Sequence, residues 1–466
     1  MQPRLTAALT ATHLATWVSA AGGRGGTSLP GLVGLRIDPL LVAKLASQLD
    51  STIVVAGTNG KTTTTAWLGS ALRADRRRLI HNREGSNMLR GVATTLARRA
   101  TLGGSLVGRG PLAGLFEVDE AALPGILAQV RPSTLVLTNL FRDQLDRYSE
   151  LALVAEHWNA PIRALPASST LVVNADDPLV ASLGEISGGK VLYFGVESWP
   201  GDPRTELARS ADSLYCPACG TGLEFASVAY AHLGHYHCPG CGRERPTADV
   251  SARVSSEGVH GTSLTVSLAG QSVEMRLAAP GRYNVYNAVA AIAGAVAVGV
   301  PLDRAVAAVA AAKGAFGRAE TIEAAGRTVR LYLIKNPTGA DEVLRVVQGG
   351  QQGRDLLTLL SDNAADGHDI SWIWDAGFEL LAGWEGRVTC GGARAEDMAL
   401  RLKYAGIEEP VVVVPDDVGE AVRRALDGTS IGGTLVIVAT YTAMLAARDA
   451  LARAGHVRQY WREAAG

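Results

Sequence analysis

Short apolar runs alternate with helix-length segments along most of this sequence. Four runs are rich in β-branched and aliphatic residues and predict buried strands: "STIVVAGT", "AGLFEVDE", "STLVLTNL" and "STLVVNADD". The segment that follows the first run, "KTTTTAWLGSALRA", predicts a helix. Because strands and helices alternate, we expect an α/β fold with a largely parallel, doubly wound sheet.

A second α/β block begins near residue 328. Its strand-like runs are "RTVRLYLIKNP", "RDLLTLLSDN", "PVVVVPDD" and "TLVIVATYTAM". Between the blocks, a stretch rich in Cys, Gly, His and Pro indicates an insertion. We predict an N-terminal helical and linker segment over residues 1–45 and a central domain over 46–325 with the insertion at about 205–250. A Rossmann-like C-terminal domain is predicted over 326–466.

The N-terminal 21 residues faintly resemble a signal peptide, because they form an Ala-, Leu- and Thr-rich run. His13 and Trp17 interrupt that run, and Leu5, Leu9 and Trp17 recur near helical spacing. This pattern favours an amphipathic helix. The glycine-rich stretch 22–35 then predicts a loop or linker.

The composition is that of an ordinary globular protein. Its 466 residues correspond to about three domains at roughly 150 residues each. Its 44 basic and 45 acidic residues nearly cancel to a net charge of -1, so no overall field favours nucleic acid or an anionic membrane. No apolar run is long enough to span a bilayer. Partners therefore have to be sought at specific sites.

The clearest chemical signal is a phosphate-binding loop. Gly60, Lys61 and Thr62 form the GK[ST] end of a P-loop, in which glycines turn backbone N–H groups toward phosphate, lysine reaches the terminal phosphates and the threonine hydroxyl binds Mg²⁺. The usual spacing requires glycine where this chain has Val55, and the glycine is instead Gly57, so the loop is shorter than in motor ATPases. The alternative is a glycine turn that merely caps a helix.

"GTNGKTTT" resembles the ATP loop of the Mur ligase superfamily, whose members join amino acids or similar nucleophiles to carboxylates through an acyl phosphate. Further segments match in the same order: "FEVDE", "LTNLFRDQLDRY", "VVNADDP", "GRYNVYNAVAAIA", "FGRAE" and "ARAEDMALRLKYAG". The resemblance implies a Mur ligase-like central domain that binds ATP. The loop residues it assigns to ATP are Gly57, Thr58, Asn59, Gly60, Lys61, Thr62 and Thr63.

The resemblance also implies roles outside the loop. Glu117 would hold Mg²⁺ together with Thr62, and a carboxylate at a strand end suits a hard cation. Asp119 and Glu120 follow closely. Asn284 and Asn287, three residues apart on one helix face, match the adenine side of the site. Arg318 matches an arginine at the hinge to the last domain, where it would contact the nucleotide.

The sequence departs from the superfamily at two places. Amino-acid-adding Mur ligases carry a carbamylated lysine that binds a second Mg²⁺, yet residues 62–189 contain no lysine, and Gln144 stands where a histidine ligand is expected. The usual "DYAH.P" segment is replaced by Lys335, Asn336 and Pro337. These departures put the second metal site in doubt and predict altered acceptor chemistry.

Four of the five cysteines form two CxxC pairs separated by 18 residues, which is the spacing of a structural zinc site: Cys216, Cys219, Cys238 and Cys241. Two redox pairs are the alternative, and His235 or His237 could substitute as a ligand, although both are predicted to lie in loops. The paired spacing favours a reducing cytoplasm over a disulfide framework. The insertion lacks a Lys/Arg run, so we expect a structural or docking role rather than nucleic-acid binding.

A zinc-ribbon insertion together with "SDNAADGHDISWIWD" resembles the MurT family, the synthetase subunits of lipid II isoglutaminyl synthases. The resemblance implies a carbon–nitrogen ligase that uses glutamine as amido donor. It would amidate the D-glutamate α-carboxylate of the lipid II stem peptide in peptidoglycan biosynthesis, with ammonia from a GatD-like class I glutaminase. It implies a heterodimer without stable membrane insertion, active in the cytoplasm and transiently at the inner membrane face.

Asp362 is the predicted catalytic acid or base, because it follows a strand at the edge of a sheet where α/β sites open. It could instead cap a turn. Asp366, His368 and Asp369 are near enough to share the role. Cys390 lies in "VTCGG", which lacks the first glycine of a nucleophile elbow, and is predicted to be a buried small hydrophobe.

Two other functions stay open on the sequence. One is an amino-acid ligase of the folylpolyglutamate synthetase type, against which the cysteine insertion and the absent lysine count. The other is a non-catalytic scaffold that binds ATP and a partner, against which the intact Gly60, Lys61, Thr62 and Glu117 count.

Overall fold

The computed structural model of the protein describes residues 2–21, 28–82, 86–107, 110–143, 151–201, 203–208, 210–258, 261–312, 318–349, 353–408 and 411–457. The helices are α1 (Pro3–Ala21), α2 (Ser28–Ile37), α3 (Leu41–Ala46), α4 (Lys61–Ala74), α5 (Leu89–Ala97), α6 (Leu123–Val130), α7 (Leu151–Arg163), α8 (Pro178–Gly184), α9 (Arg282–Ala297), α10 (Leu302–Ala310), α11 (Pro337–Gln348), α12 (Ala395–Tyr404), α13 (Val418–Gly428) and α14 (Tyr441–Arg453).

The strands are β1 (Ser51–Ala56), β2 (Arg78–His81), β3 (Leu112–Glu117), β4 (Thr134–Leu137), β5 (Thr170–Asn174), β6 (Lys190–Ser198), β7 (Glu224–Tyr230), β8 (Leu233–His237), β9 (Val250–Gly258), β10 (Gly261–Leu268), β11 (Gln271–Leu277), β12 (Arg318–Ala324), β13 (Arg327–Leu333), β14 (Asp355–Leu359), β15 (Val388–Gly392), β16 (Val411–Pro415) and β17 (Thr434–Ala439). Two 3-10 turns follow β14, at Ser371–Trp374 and Phe378–Leu381.

The central domain is built on a nine-stranded sheet, counted over the described residues, in the order β11-β10-β9-β6-β5-β4-β1-β3-β2. The strands from β2 to β6 pair in parallel, whereas β9, β10 and β11 pair antiparallel with one another. The parallel part confirms the predicted doubly wound sheet. The antiparallel edge was not predicted, because its strands alternate apolar and polar residues and bury one face only.

Both faces of the parallel strands are buried. Along β1, Ile53 and Val55 pack on the side of α4 and α9, whereas Val54 and Ala56 pack on the side of α1, α3, α5 and α6. Because neither face meets water, the strand is a continuous apolar run, which is why the sequence predicted it. The carboxyl ends of β1, β3 and β4 consequently lie side by side at one edge.

The C-terminal domain contains a six-stranded sheet in the order β12-β13-β17-β14-β15-β16, counted over the described residues. All pairs are parallel except β12 with β13. Helices cover both faces of this sheet as well. Because β12 belongs to it, this sheet starts at Arg318, ahead of the predicted boundary after residue 325.

The N-terminal helices pack on the central domain. Helix α1 buries Leu5 and Leu9 and leaves Trp17 exposed. The predicted loop at 22–35 is wrong for its second part, which is α2, while residues 22–27 lie outside the described chain. Gly31 and Gly34 allow close packing here, since an added Cβ would lie 1.8 Å from the Arg90 carbonyl and 2.3 Å from the hydroxyl of Thr12 respectively. Among the described helices, none is both long and apolar enough to cross a membrane.

Candidate active site

The phosphate loop connects β1 to α4. Gly57 and Gly60 have φ angles of 126° and 83°, a region that glycine enters without steric cost. Gly60 has a second reason to be glycine, because an added Cβ would lie 1.8 Å from the Asn287 Oδ1 atom. Lys61 begins α4, so its side chain and the free N–H groups of the first helical turn share one end of the helix.

The segment after β4 fixes the conformation of this loop. The Asn139 Oδ1 atom accepts a hydrogen bond from Asn59 N at 2.8 Å, and its Nδ2 donates to the Asn59 carbonyl at 3.0 Å. The Thr138 hydroxyl donates to the same carbonyl at 3.1 Å. Thr58 N donates to the Asn139 carbonyl, and the Thr58 hydroxyl accepts from Phe141 N at 3.0 Å. The loop is thus held before any ligand arrives, which lowers the entropic cost of binding.

Lys61 is buried within a group of acceptors. Its Nζ donates to Glu120 Oε2 at 2.8 Å and to the carbonyl oxygens of Gly57 and Thr58. Burial alone would lower the pKa of Lys61, but the Glu120 and Asp119 carboxylates outweigh it, so the net pKa lies above the ordinary value. The pKa of Glu120 is lowered, since Lys61 outweighs its burial. The ammonium therefore stays charged at neutral pH.

Thr62 and Glu117 form a pair of oxygen ligands next to this lysine. The Thr62 hydroxyl donates to Glu117 Oε1 at 3.0 Å. Asn82 fixes the backbone of Glu117, since its Oδ1 accepts from Glu117 N at 2.9 Å and its Nδ2 donates to the Glu117 carbonyl at 2.8 Å. A hydroxyl and a carboxylate are ligands that Mg²⁺ accepts, so this donor set fits the ion. The adjacent Thr63 is buried, and within the described chain its hydroxyl has no hydrogen-bond partner.

The predicted adenine-side residues lie on α9, directly behind the loop. Asn287 packs against Gly60, and its Nδ2 donates to Asn284 Oδ1 at 3.3 Å. Asn284 in turn donates to the Pro280 carbonyl at 2.7 Å. The structure therefore brings Asn287 to the loop, with Asn284 hydrogen-bonded to it on the same helix. Arg318 begins β12, but its side chain lies outside the described part of the structure.

A cavity of about 630 Å³, which includes space open to solvent, lies between the central and C-terminal domains. Its walls come from the loop, α9, β7, the end of β13 and α11: Asn59, Gly60, Asn139, Tyr230, Tyr283, Asn287, Tyr332, Leu333, Lys335, Thr338, Gly339, Glu342 and Val343. Burial raises the pKa of Glu342 to about 7, although Arg345 and Arg282 oppose the shift. Three tyrosines, a carboxyl group and amides give this cavity both stacking surfaces and hydrogen-bonding groups.

The segment 335–337, where the sequence departs from the superfamily pattern, lies at the edge of this cavity. Asn336 pairs with Asn59 of the loop, donating to its Oδ1 at 3.1 Å and accepting from its Nδ2 at 3.3 Å. The Lys335 ammonium forms an ion pair with Asp143 in the central domain. Both residues lie at the carboxyl end of β13, so the C-terminal domain contacts the phosphate loop directly.

The predicted acid or base residues follow β14. Asp362 forms an ion pair with Arg394 at 2.9 Å. Asp366 is buried and accepts from Thr442 N at 2.9 Å, and its burial raises its pKa. His368 is exposed.

Asp369 differs from these residues, because it lines a second cavity of about 360 Å³ together with Arg142, Asp143 and Lys335. It also caps the turn that follows, accepting from Ser371 N at 2.8 Å. The structure thus brings Asp369 to the lysine end of the cleft and leaves Asp362 paired within the C-terminal domain.

Tyr441, at the start of α14, shows that the two domains face each other. Its pKa is raised first by burial and then by the charges of Glu117 and Asp366. Glu117 belongs to the central domain and Asp366 to the C-terminal one, so carboxylates of both domains lie near the same tyrosine.

The four predicted metal ligands converge in the insertion. Their sulfur atoms all lie within 4.8 Å of one another, with Cys216 and Cys241 at 3.7 Å and Cys219 and Cys238 at 3.5 Å. Tetrahedral Zn–S bonds of about 2.3 Å would place sulfurs roughly 3.8 Å apart, so the donor set fits zinc. The cysteines are free thiols rather than disulfides.

The two cysteine pairs have the same local structure. Gly220 and Gly242, which follow the second cysteine of each pair, have φ angles of 73° and 74°. Each donates its N–H to the carbonyl of the first cysteine. His235 and His237 lie on β8 and not in loops as predicted, where they contact the Val196 carbonyl and a glutamate respectively. Cys390 is fully buried and accepts from a neighbouring hydroxyl, as predicted for a small apolar residue.

The insertion also contacts the C-terminal domain. The Ser210 hydroxyl donates to Asp341 Oδ2 at 2.6 Å, and the Thr338 hydroxyl donates to the Ser210 carbonyl at 3.1 Å. Arg142 forms an ion pair with Asp212 of the insertion. Together with Tyr230 in the wall of the larger cavity, these contacts join the insertion to the site.

The sequence did not predict the roles of Asn139, Asn336 and Glu342. Asn139 lies inside the run "STLVLTNL", which the sequence predicted as a strand, so the run itself did not indicate that this amide fixes the loop. The other two belong to the C-terminal domain, and nothing local to them indicates which surface of the central domain they face.

Family profiles and relatives agree with this geometry. The Mur ligase middle domain profile matches residues 55–215, and the MurT ligase C-terminal profile matches residues 333–444. The chain is 33% identical to the lipid II isoglutaminyl synthase (glutamine-hydrolyzing) subunit MurT of Staphylococcus aureus (strain COL), over 93% of this chain and 95% of that protein. The chain belongs to the MurT family.

A second MurT-family relative, the subunit of the same name from Streptococcus pneumoniae (strain ATCC BAA-255 / R6), is also 33% identical, over 98% of this chain and 99% of its own length. Solved structures confirm the Mur ligase-like α/β fold. A pseudomurein peptide ligase type C from Methanothermus fervidus superposes with a TM-score of 0.67 at 21% identity, over 88% of this chain and 80% of that one. MurF from Acinetobacter baumannii superposes with a TM-score of 0.64 at 17% identity, over 91% of this chain and 80% of the MurF chain.

Proposed function

We propose that this chain is the ATP-dependent synthetase subunit of a lipid II isoglutaminyl synthase. It would convert the α-carboxylate of D-glutamate in the lipid II stem peptide to the amide, giving D-isoglutamine, with ammonia from a GatD-like class I glutaminase partner. The observation that carries the proposal is the cleft itself, in which Lys61, Thr62 and Glu117 face a MurT-type C-terminal domain. A lipid-linked substrate would bring the chain to the inner membrane face transiently.

The first step is transfer of the γ-phosphoryl group. A substrate carboxylate oxygen attacks the terminal phosphorus of ATP, the bond to ADP breaks, and an acyl phosphate forms. The charged Lys61 and the N-terminal N–H groups of α4 would stabilise the negative charge on the phosphate oxygens. Asn284 and Asn287 would orient the nucleotide, with Arg318 contacting it from the hinge.

Mg²⁺ held by Thr62 and Glu117 would neutralise phosphate charge during this step. The loop keeps this pair of ligands in place, because Asn82 fixes Glu117 and α4 carries Thr62. We assign zinc a structural role at Cys216, Cys219, Cys238 and Cys241, since four thiolates leave no open position for a reacting group.

The second step joins ammonia to the activated carbonyl. The nitrogen lone pair forms the C–N bond, phosphate departs with the C–O bonding electrons, and the ammonium nitrogen must lose a proton. We assign Asp362 to accept it, with Arg394 fixing the orientation of the carboxylate. Asp369 is the alternative acceptor, because it lines the cavity that contains Lys335.

The test is an amidation assay with the full chain, a glutaminase partner, glutamine, Mg²⁺-ATP and lipid II, read by mass spectrometry as conversion of one carboxylate to an amide. Lys61→Ala should lower the rate by about 10²-fold or more. Asp362→Asn should lower it by roughly 10²–10⁴-fold, the usual effect of losing a general base. Lys190→Ala and Asp303→Asn, which change exposed residues, are the matched controls.

The outcomes separate the assignments. A normal rate in Asp362→Asn with a loss in Asp369→Asn would move the proton acceptor to Asp369. Wild-type activity in Lys61→Ala would contradict phosphoryl transfer at this loop. Product formed with an added amino acid in place of ammonia would make the chain an amino-acid ligase instead.

A further inference from the structure

Four charged groups meet at the lysine end of the cleft, and we call Lys61, Glu120, Asp143 and Lys335 the charge cluster. Lys61 and Glu120 are buried, whereas the Lys335 side chain is 25% exposed. Lys61 pairs with Glu120 at 2.8 Å, and Lys335 pairs with Asp143. The two pairs interact, since the charge of Lys335 lowers the pKa of Glu120 and the charge of Asp143 raises the pKa of Lys61. The cluster therefore contains two positive and two negative groups.

Lys335 belongs to the C-terminal domain, and its positive charge makes the charge cluster neutral overall. Without it, the cluster would consist of Lys61 and two buried carboxylates, with a net charge of -1. Burial raises the pKa of Asp143, and Lys335 is the main influence that opposes the shift. The Asp143 Oδ1 atom is buried without a hydrogen-bond partner in the described chain. A buried carboxylate in this state attracts a cation strongly.

Lys335 also lies where the two cavities meet. It lines the cavity of about 630 Å³ beside Asn59 and Gly60, and it lines the cavity of about 360 Å³ beside Asp143 and Asp369. On the proposed function, with the nucleotide in the first cavity and the acceptor in the second, the transferred phosphoryl group would pass beside Lys335. An ammonium group here can therefore contact transferred oxygens as well as Asp143.

We propose that Lys335 supplies a second positive charge at the phosphate end of the cleft, in the place of a second divalent cation. The cleft would then bind one Mg²⁺ per ATP, at Thr62 and Glu117. The carboxylates that a second ion would require, Glu120 and Asp143, are already paired with ammonium groups. The inference rests on the proposed ATP-dependent function and specifies which groups supply positive charge at that site.

The experiment counts bound Mn²⁺ by electron paramagnetic resonance in the full-length chain saturated with a non-hydrolysable ATP analogue. The wild-type chain should bind one Mn²⁺ per nucleotide. Lys335→Met removes the charge and keeps the length of the side chain, so it should bind two. Lys335→Arg keeps the charge and should bind one, as should Lys190→Met, which changes an exposed lysine.

Two results would overturn the inference: two Mn²⁺ in the wild-type chain, or one Mn²⁺ in a Lys335→Met chain. Circular dichroism of each variant verifies the fold. If the methionine variant does not fold, the Lys335→Arg variant still tests the inference. Two Mn²⁺ bound to the arginine variant would contradict it. A chain that binds no ATP analogue at all would refute the proposed function instead, so the two failures are distinguishable.

Discussion

Replacing Gly60 with alanine tests the physical account of the phosphate loop. An L-residue at the φ of 83° found here pays about 1–2 kcal/mol. The new Cβ would also lie 1.8 Å from Asn287 Oδ1, and because Asn287 is buried it can move only by disturbing its neighbours. Such overpacking costs about 1–3 kcal/mol. The expected loss in the free energy of unfolding is therefore about 2–5 kcal/mol, with weakened ATP binding.

The matched control is Gly270→Ala in the turn between β10 and β11. Gly270 has the same φ of 83°, but an added Cβ would meet no atom within 4 Å, so only the backbone cost of about 1–2 kcal/mol applies. Urea unfolding followed by tryptophan fluorescence measures both losses, and calorimetry measures nucleotide affinity. Adding Asn287→Ala to Gly60→Ala should recover the steric part. Equal losses in the two single variants would refute the assigned contact.

Three further predictions concern buried groups. Burial raises the pKa of Glu342 from 4.5 to about 7, so between these pH values the folded chain holds a proton that the unfolded chain releases. The free energy of unfolding should therefore fall by roughly 3 kcal/mol as the pH rises through that range. In urea unfolding, the Glu342→Gln variant should lack this pH dependence. Cys238→Ser should abolish zinc binding measured by mass spectrometry, whereas Cys390→Ser, outside the cysteine cluster, should retain the metal. Ser210→Ala removes the hydroxyl that donates to Oδ2 of the buried Asp341 and leaves Gly377 N as the donor to Oδ1. This change should lower stability by about 1–3 kcal/mol in thermal unfolding, and an unchanged midpoint would contradict the contact.

The parallel strands were predictable because they are buried on both faces. Strand β1 is apolar from Ile53 to Ala56, and the chain then leads directly into the phosphate loop at Gly57. The phosphate loop and the cysteine turns were predictable for a similar reason, since their chemistry depends on residues close together in the sequence. Helix α2 was not, because its glycines signal a loop locally and act through contacts with α1 and α5.

The cleft required the structure. Lys335 lies 192 residues from Asp143 in the sequence, and their pairing depends on how the two domains meet. The superfamily resemblance showed that the lysine segment was unusual but not which carboxylate it would reach. The same limit applies to Asp362 and Asp369, which are close in sequence although Asp362 pairs with Arg394 and Asp369 lines the cavity that contains Lys335.

The position of the cysteine insertion would give metal binding there a wider effect. Because the insertion bonds to α11 through Ser210 and supplies Tyr230 to the larger cavity, we expect the stability of the insertion to be coupled to that of the cleft. An ion that stabilises the cysteine turns would then also stabilise the contacts between the insertion and the cleft. By the same coupling free energy, bound nucleotide would raise the affinity of the cysteines for the ion. A distant structural ion would in this way become a contributor to ATP affinity.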